Sequence, residues 1–236
     1  MYKRTSSVLD PKDGSVVYVR SLEWLNRLAE KGRGKKLMIV APKSLSGRKL
    51  ADESWSMVCH AHPKREFVLL HNMLNEDIDA PPHSIHPSAT IAPCAIVGAE
   101  GLNTVLSQDN KLISMKHMGN VVIEEGASIG SLSVIARAVF GSTTIGAYTH
   151  IGNRCSIGHG ATLGRNVIVA PNATIGGSVR IGDGCFIGMG AVVNNWCKLC
   201  RGVIIGSGAV VTKDITGPGK YVGVPAKWVG EWKGEW

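Results

Sequence analysis

No stretch of this chain reaches the roughly 18 consecutive apolar residues that a membrane-spanning helix requires, so no membrane span is predicted. The opening MYKRTSSVLDPKDG lacks an apolar core and a small-residue cleavage pattern; no secretory signal is expected, and the default compartment is cytoplasmic. Cysteine is sparse. Six in 236 residues do not make a disulfide framework, and a reducing compartment favours free thiols. Aromatic residues are only 6% of the chain, and no basic run is interleaved with them, which excludes the usual footprint of a nucleic-acid binder. Acidic residues are the scarcer charge, 18 against 26 basic, for a net +8. The surplus is spread, with 14 basic and 10 acidic residues over 1–80 and 12 against 8 thereafter. Such a diffuse balance suits small anionic ligands such as phosphate esters, and equally a plain solvated surface.

What the chain does have is a repeat. From Ile145 an aliphatic residue recurs at every sixth position: Ile145, Ile151, Ile157, Leu163, Val169, Ile175, Ile181, Ile187, Val193, Leu199, Ile205 and Val211. Glycine usually follows it, and a small or β-branched residue stands two positions before, from Thr143 to Ala209. In a strand, positions i−2 and i point the same way, so both sets face one side. Glycine at i+1 is expected to relax the backbone at a corner. Period six with this glycine load would be strongly destabilising as an α-helix. Short strands joined by tight corners wind instead into a stacked coil, a parallel β-helix with the aliphatic ladder along its axis. Each buried ladder side chain contributes roughly 1.5–3 kcal/mol. A weaker copy precedes it in Ile85, Ile91, Val97 and in Ile123, Ile129, Ile135. Residues 98–120 break the period and read as an extruded loop, and the ten-residue step from Ile135 to Ile145 marks one irregular coil.

Three regions follow: a small α/β module over 1–80, the β-helix over 81–215 with its inserted loop 98–120, and a short C-terminal tail over 216–236. In the first, SVVYV and KKLMIV suit strands, while SLEWLNRLAEKG, opened by a Ser N-cap, and KREFVLLHNMLNE suit helices. DAPPHSIHP reads as a rigid linker. The module either caps the open end of the solenoid or binds substrate, and the two roles are compatible. In the tail, Trp228, Trp232 and Trp236 fall at helical spacing and are expected to staple it onto a neighbouring subunit. Cys197 and Cys200 spell CxxC, but the register puts one inside and one outside, so core filler is expected rather than zinc or redox chemistry.

The pattern resembles the hexapeptide-repeat acyltransferases, which implies a left-handed coil of 18 residues per turn and a homotrimer. The left hand comes from that resemblance alone, since parallel β connections are normally right-handed. The runs HPSATIAP (86–93), GAEGLNTVLSQDNKLISMKHMGNVVI (98–123), ARAVFGSTTIG (136–146) and CSIGHGATLG (155–164) sharpen it. They look like the UDP-3-O-acylglucosamine N-acyltransferases of lipid A synthesis and related nucleotide-sugar N-acyltransferases, enzymes of lipopolysaccharide or polysaccharide biosynthesis. The N-terminal module loosely resembles that family's nucleotide-gripping domain. Two departures stand out. Near its end the sequence carries KYVGVPAKWV (220–229), similar to the G-x-P-A-K loop of coenzyme-A-dependent hexapeptide acetyltransferases, and the helical extension that helps the lipid A enzymes bind acyl carrier protein is not expected. A second histidine of the lipid A enzymes falls on Trp196.

An amine must lose a proton to attack a thioester, and histidine titrates in the right range to take it. Eight histidines are present, and the resemblance implies that His159, two residues past the inward Ile157, is the catalytic base. One coil further stands Gly177, whose backbone N–H is expected to meet the oxyanion of the tetrahedral intermediate. No acidic neighbour follows His159, since the next residue is Gly160. The resemblance places His117, Arg137 and Asn153 near the acceptor sugar. It places acyl-coenzyme A against Ser178, Asn195, Lys213 and the tail residues Gly223, Pro225 and Lys227. The expected function is transfer of a short acyl group from acyl-coenzyme A to the amine of a nucleotide-linked amino sugar, without a metal. Alternatives are a sugar O-acetyltransferase, a lipid-A-type N-acyltransferase using acyl carrier protein, and a non-catalytic β-helix scaffold. A zinc-dependent γ-type carbonic anhydrase shares the coil, but it needs two of its three histidines five apart, which His117, His150 and His159 do not provide.

Overall fold

The computed structural model describes residues 4–232, and they form two units. The first comprises the chain up to Asp79 together with Leu102–Lys116; the second comprises Ala80–Gly101 and the chain from His117 onward.

The first unit is a parallel sheet in the order β1 (Arg4–Ser6), β2 (Ser15–Tyr18), β3 (Leu37–Pro42), β4 (Ser56–His60), with helices α1 (Leu22–Lys31) and α2 (Pro63–Leu74). The apolar spacing of α1 buries Leu25 and Leu28 against Val17, Val19, Leu37 and Ile39. Ser21 stands extended at its N-cap, without a side-chain cap bond. In α2, Pro63 occupies the first turn, where its missing N–H costs nothing, and Phe67, Val68 and His71 turn inward. The expected strands and helices form, and the sheet has β1 and β4 besides; β1 is only the three residues RTS, too short and polar to read as a strand.

The expected loop 98–120 is structured. Its centre is an antiparallel hairpin of Thr104–Leu106 with Leu112–Ser114, and it belongs to the first unit. The bonds that hold it there are polar. Asn72 Nδ2 donates to Ser114 O at 2.8 Å, Lys116 N–H to Asn72 Oδ1 at 3.0 Å, and Lys116 Nζ to Asn75 O at 2.7 Å.

The second unit is a left-handed parallel β-helix of three sheets with six, eight and six strands. Ladder residues Ile145 to Val211 are at most 3% exposed, and the inward residues two places earlier, Cys197 among them, at most 5%. Successive coils stack at offsets of 38, 22 and then 18 residues. The first offset absorbs the 98–120 excursion and the second the extra residues around 137–141.

One part of the repeat works differently from the sequence expectation. The left-handed corner is not at i+1 but at i+3: Tyr148, Arg154, Gly160, Asn166, Asn172, Ser178, Gly184 and Trp196 all have positive φ. The i+1 glycines serve close stacking. A Cβ on Gly158 would come within 2.5 Å of Gly177 N in the next coil. The tail also departs from expectation. It is an antiparallel hairpin of Gly219–Val222 with Lys227–Gly230, so Trp228 lies in a strand, 57% exposed, and Trp236 lies outside the described residues.

Candidate active site

His159 sits two residues past the buried Ile157, and its backbone is held on three sides. Gly158 N–H donates to Ile175 O at 2.7 Å, Ser178 N–H to His159 O at 2.8 Å, and Gly160 N–H to the buried Thr143 Oγ1 at 2.8 Å. The imidazole is half-buried. Burial pushes its pKa below the usual histidine value, and the neighbouring His117 pushes the same way. A neutral ring at neutral pH is the form a general base needs.

Gly177 lies directly against that ring: a Cβ there would stand 2.7 Å from His159 Nε2. Its N–H donates to Asn195 Oδ1 at 2.8 Å. That bond belongs to a corner pattern. A polar side chain two residues past a ladder residue accepts an N–H from the preceding coil, as with Asn153 to Ser131 N at 2.9 Å and Asp183 to Arg165 N at 2.8 Å. Asn153 and Asn195 therefore have structural work whatever else they do. Arg137 does too: its backbone N–H donates to Ala99 O at 2.9 Å and its Nε to Gly98 O at 2.8 Å, which fixes the 98–101 segment beside the irregular coil.

His117 is 1% exposed, and its ring meets that of His159 edge-on at 5.2 Å between centroids. Two further residues, not singled out by the sequence analysis, complete this cluster. Glu100 Oε2 accepts from His117 Nδ1 at 3.0 Å and from its backbone N–H at 3.3 Å. Gly101 fills the space between the rings, where a Cβ would lie 2.7 Å from His117 Nε2 and 2.8 Å from His159 Cβ. The signal for both lay in the excursion itself. GAEG at its start and KHMG at its end must close on each other where the coil resumes.

The expected donor residues lie in two places. Ser178 and Asn195 share the corner of His159, while Lys213 and Pro225 line a cavity of ≈ 320 Å³ with Tyr221 and Ala226. The tail turn bearing Gly223 and Pro225 is tied to the last coil by Val210 N–H to Gly223 O at 3.0 Å and Ala226 N–H to Val210 O at 2.7 Å. Lys227 is exposed just beyond it. A second cavity, ≈ 410 Å³, lies in the first unit between Tyr18, the α2 start at His62–Arg65, and Thr104–Leu106. That is the carboxyl end of its parallel strands, the usual ligand position in such sheets. Among the described residues no cluster of metal-ligating side chains occurs, and no helix is long and apolar enough to cross a membrane.

Residues 142–177 and 178–213 each match the family described as Bacterial transferase hexapeptide (six repeats). The chain is 33% identical over 149 residues to UDP-3-O-acylglucosamine N-acyltransferase from Caulobacter sp. (strain K31), covering 63% of this chain and 42% of that protein. It thus spans less than half the length of that curated relative. Among solved structures it is similar to UDP-N-acetylglucosamine O-acyltransferase from Moraxella catarrhalis, with 21% identity, a TM-score of 0.49, and coverage of 65% of this chain and 74% of that one. It is also similar to a histidine-to-alanine variant of GDP-perosamine N-acetyltransferase from Caulobacter crescentus in complex with CoA and GDP-perosamine, with 19% identity, a TM-score of 0.37, and coverage of 92% and 96%.

Proposed function

We infer, from the premise that this chain belongs to the hexapeptide-repeat family, that it is an acyltransferase moving a short acyl group from acyl-coenzyme A to the amine of a nucleotide-linked amino sugar. The observation that carries this reading is the corner of His159, where a half-buried imidazole kept neutral by its surroundings meets a glycine amide of the next coil. The sequence relation to an N-acyltransferase of a UDP-linked sugar supports the acceptor class.

In the proposed reaction the acceptor nitrogen attacks the thioester carbonyl while His159 takes its proton. The carbon–nitrogen bond forms, the negative charge gathers on the former carbonyl oxygen, and the Gly177 N–H supplies a donor to it. In the resting chain that N–H is bonded to Asn195 Oδ1, so the oxyanion shares or replaces that bond. Collapse of the intermediate breaks the carbon–sulfur bond, and the imidazolium returns the proton to the leaving thiolate. Arg137 and Asn153 are proposed to border the acceptor, and His117, its ring enclosed, to pack against the base instead. The cavity at the carboxyl ends of the first unit's strands, with Lys64 and Arg65 at a helix N-terminus, suits an anionic group such as a phosphate ester.

The test is a screen of nucleotide-linked amino sugars against several acyl-coenzyme A donors and acyl carrier protein, read by product mass. An N-acylated sugar formed from acyl-coenzyme A is expected. Product from acyl carrier protein alone would overturn the donor assignment in favour of the lipid-A-type reading, and acylation of a hydroxyl would overturn the acceptor assignment.

Lys227 tests the donor separately. Exposed beside the tail turn, it offers a point charge to the phosphates of coenzyme A. Lys227→Ala is expected to raise KM for acyl-coenzyme A by roughly 1.5- to 5-fold, matching the ~0.2–1 kcal/mol of an exposed ion pair. KM for the sugar should stay put, and the effect should shrink at high salt. A change in sugar KM alone would move Lys227 to the other substrate.

A homotrimer is the proposed assembly, because His159 stands half-buried at a corner and a partner surface would exclude water from it. Sedimentation is expected to show three copies; a stable, fully active monomer would refute it.

A further inference from the structure

We propose that Glu100 and His117 form a positioning pair for His159, with Gly101 as the slot that lets the two imidazoles meet. This rests on the reading of His159 as the base. The sequence offers no orienting carboxylate next to that histidine, because Gly160 occupies the place. The fold supplies one from the far side of the excursion.

The geometry is specific at each step. Glu100 Oε2 accepts from both the backbone N–H and the Nδ1 of His117, so the carboxylate sets the ring's tautomer with the proton on Nδ1 and fixes its plane. The His117 ring has no exposed surface, and its edge-on contact with His159 leaves it no room to rotate freely. Edge-to-face contact of this kind fixes one ring by the other. Gly101 makes the approach possible, since any side chain there would strike His117 Nε2 and His159 Cβ together. On the opposite side the ring of His159 rests on Gly177. The imidazole is thus held between Gly101 with His117 and Gly177, and its Nε2 end is directed toward Gly177.

The charged groups that bear on His159 are few. His117 is the ionisable neighbour that acts on it, and Glu100 stands behind His117. Gly101 and Gly177 line two further faces. The Glu100 side chain is 59% exposed, so solvent screens its charge and its effect passes through hydrogen-bond geometry rather than through field. Arg137 contributes from outside by tying down Gly98 and Ala99, which sets where Glu100 and Gly101 begin.

Two variants of the full chain test this. Glu100→Gln keeps the size and removes the carboxylate. His117→Asn keeps a donor near the Nδ1 position and removes the ring from His159. Glu100→Gln is expected to lower kcat by roughly 10–100-fold, the range for outer partners that orient a working histidine, with both KM values unchanged and Glu100→Asp recovering part of the loss. His117→Asn is expected to move the acid limb of kcat/KM, and the imidazole titration of His159 followed by nitrogen NMR, to higher pH, because the ring that shelters His159 from solvent is gone. Wild-type kcat in Glu100→Gln would overturn the proposal. So would a kcat loss in either variant with the His159 nitrogen shifts and titration unchanged, since that is what a merely structural role produces. Should His159→Ala keep its turnover, the base reading falls, and the NMR coupling of His159 to Glu100 still decides the positioning claim by itself.

Discussion

His159→Ala is expected to lower turnover by roughly 10²–10⁴-fold, the usual loss when a general base is removed. The fold should survive, because the bonds that secure the corner are made by backbone N–H and C=O groups and by Thr143, not by the imidazole. An unchanged thermal transition would establish that the loss is chemical. The wild-type pH profile carries a matching expectation. A base works only when its proton is off, and burial together with His117 lowers the pKa of His159. Activity should therefore persist below the ordinary histidine range near 6.5 and fall only as pH drops through the depressed value. Because kcat/KM reports the free enzyme, its acid limb is the quantity to measure. Near-wild-type turnover in His159→Ala with saturating acceptor would remove His159 from the mechanism. An acid limb at or above the ordinary value would show that the ring is not sheltered as the structure has it.

Much of the second unit was legible because its periodicity is one-dimensional. A ladder residue at every sixth position leaves no other register, and the burial of Ile145 through Val211 follows that reading without exception. The i+1 glycines were legible as a pattern but not as a cause. Their role depends on the distance to the next coil, which a single strand cannot reveal, whereas the corner residues at i+3 vary from glycine to tryptophan and hide the conformation they share. The hairpin inside 98–120 was hidden for a different reason. Asn72, Asn75 and Lys116 hold it by polar contacts 40 or more residues apart, and no local spacing records them. The site divided along the same line. His159 and Gly177 lie one coil apart and could be placed by counting. Glu100 and Gly101 meet them only because an excursion returns to its starting point, which is a fact about closure rather than about period.

Gly177→Ala should produce the second large loss, about 10²–10³-fold in kcat and within the range for losing a general base, because alanine keeps the backbone N–H but displaces the imidazole. Gly177 does not lie in the left-handed region, so alanine can adopt its backbone there. The three atoms nearest to an added Cβ all belong to the imidazole: His159 Nε2 at 2.7 Å, Cε1 at 3.0 Å and Cδ2 at 3.1 Å. The new methyl group therefore pushes first on the base, and the ring must swing off its position or tilt against Gly101. KM for the acceptor should change little, and the thermal midpoint should stay close to wild type. Activity at the wild-type level would mean that the reacting atoms are not at this corner. Combination with His159→Ala then separates the two ways in which Gly177 could act. If the methyl group works only by displacing the imidazole, the double variant is no slower than His159→Ala alone, because groups acting as one unit lose their effect together. If the Gly177 amide also meets the oxyanion, the methyl group crowds the space beside that N–H whether or not the ring is present, and the double variant is slower still. A further loss in the double variant is the expected result, since the amide remains an available donor after its partner base is gone.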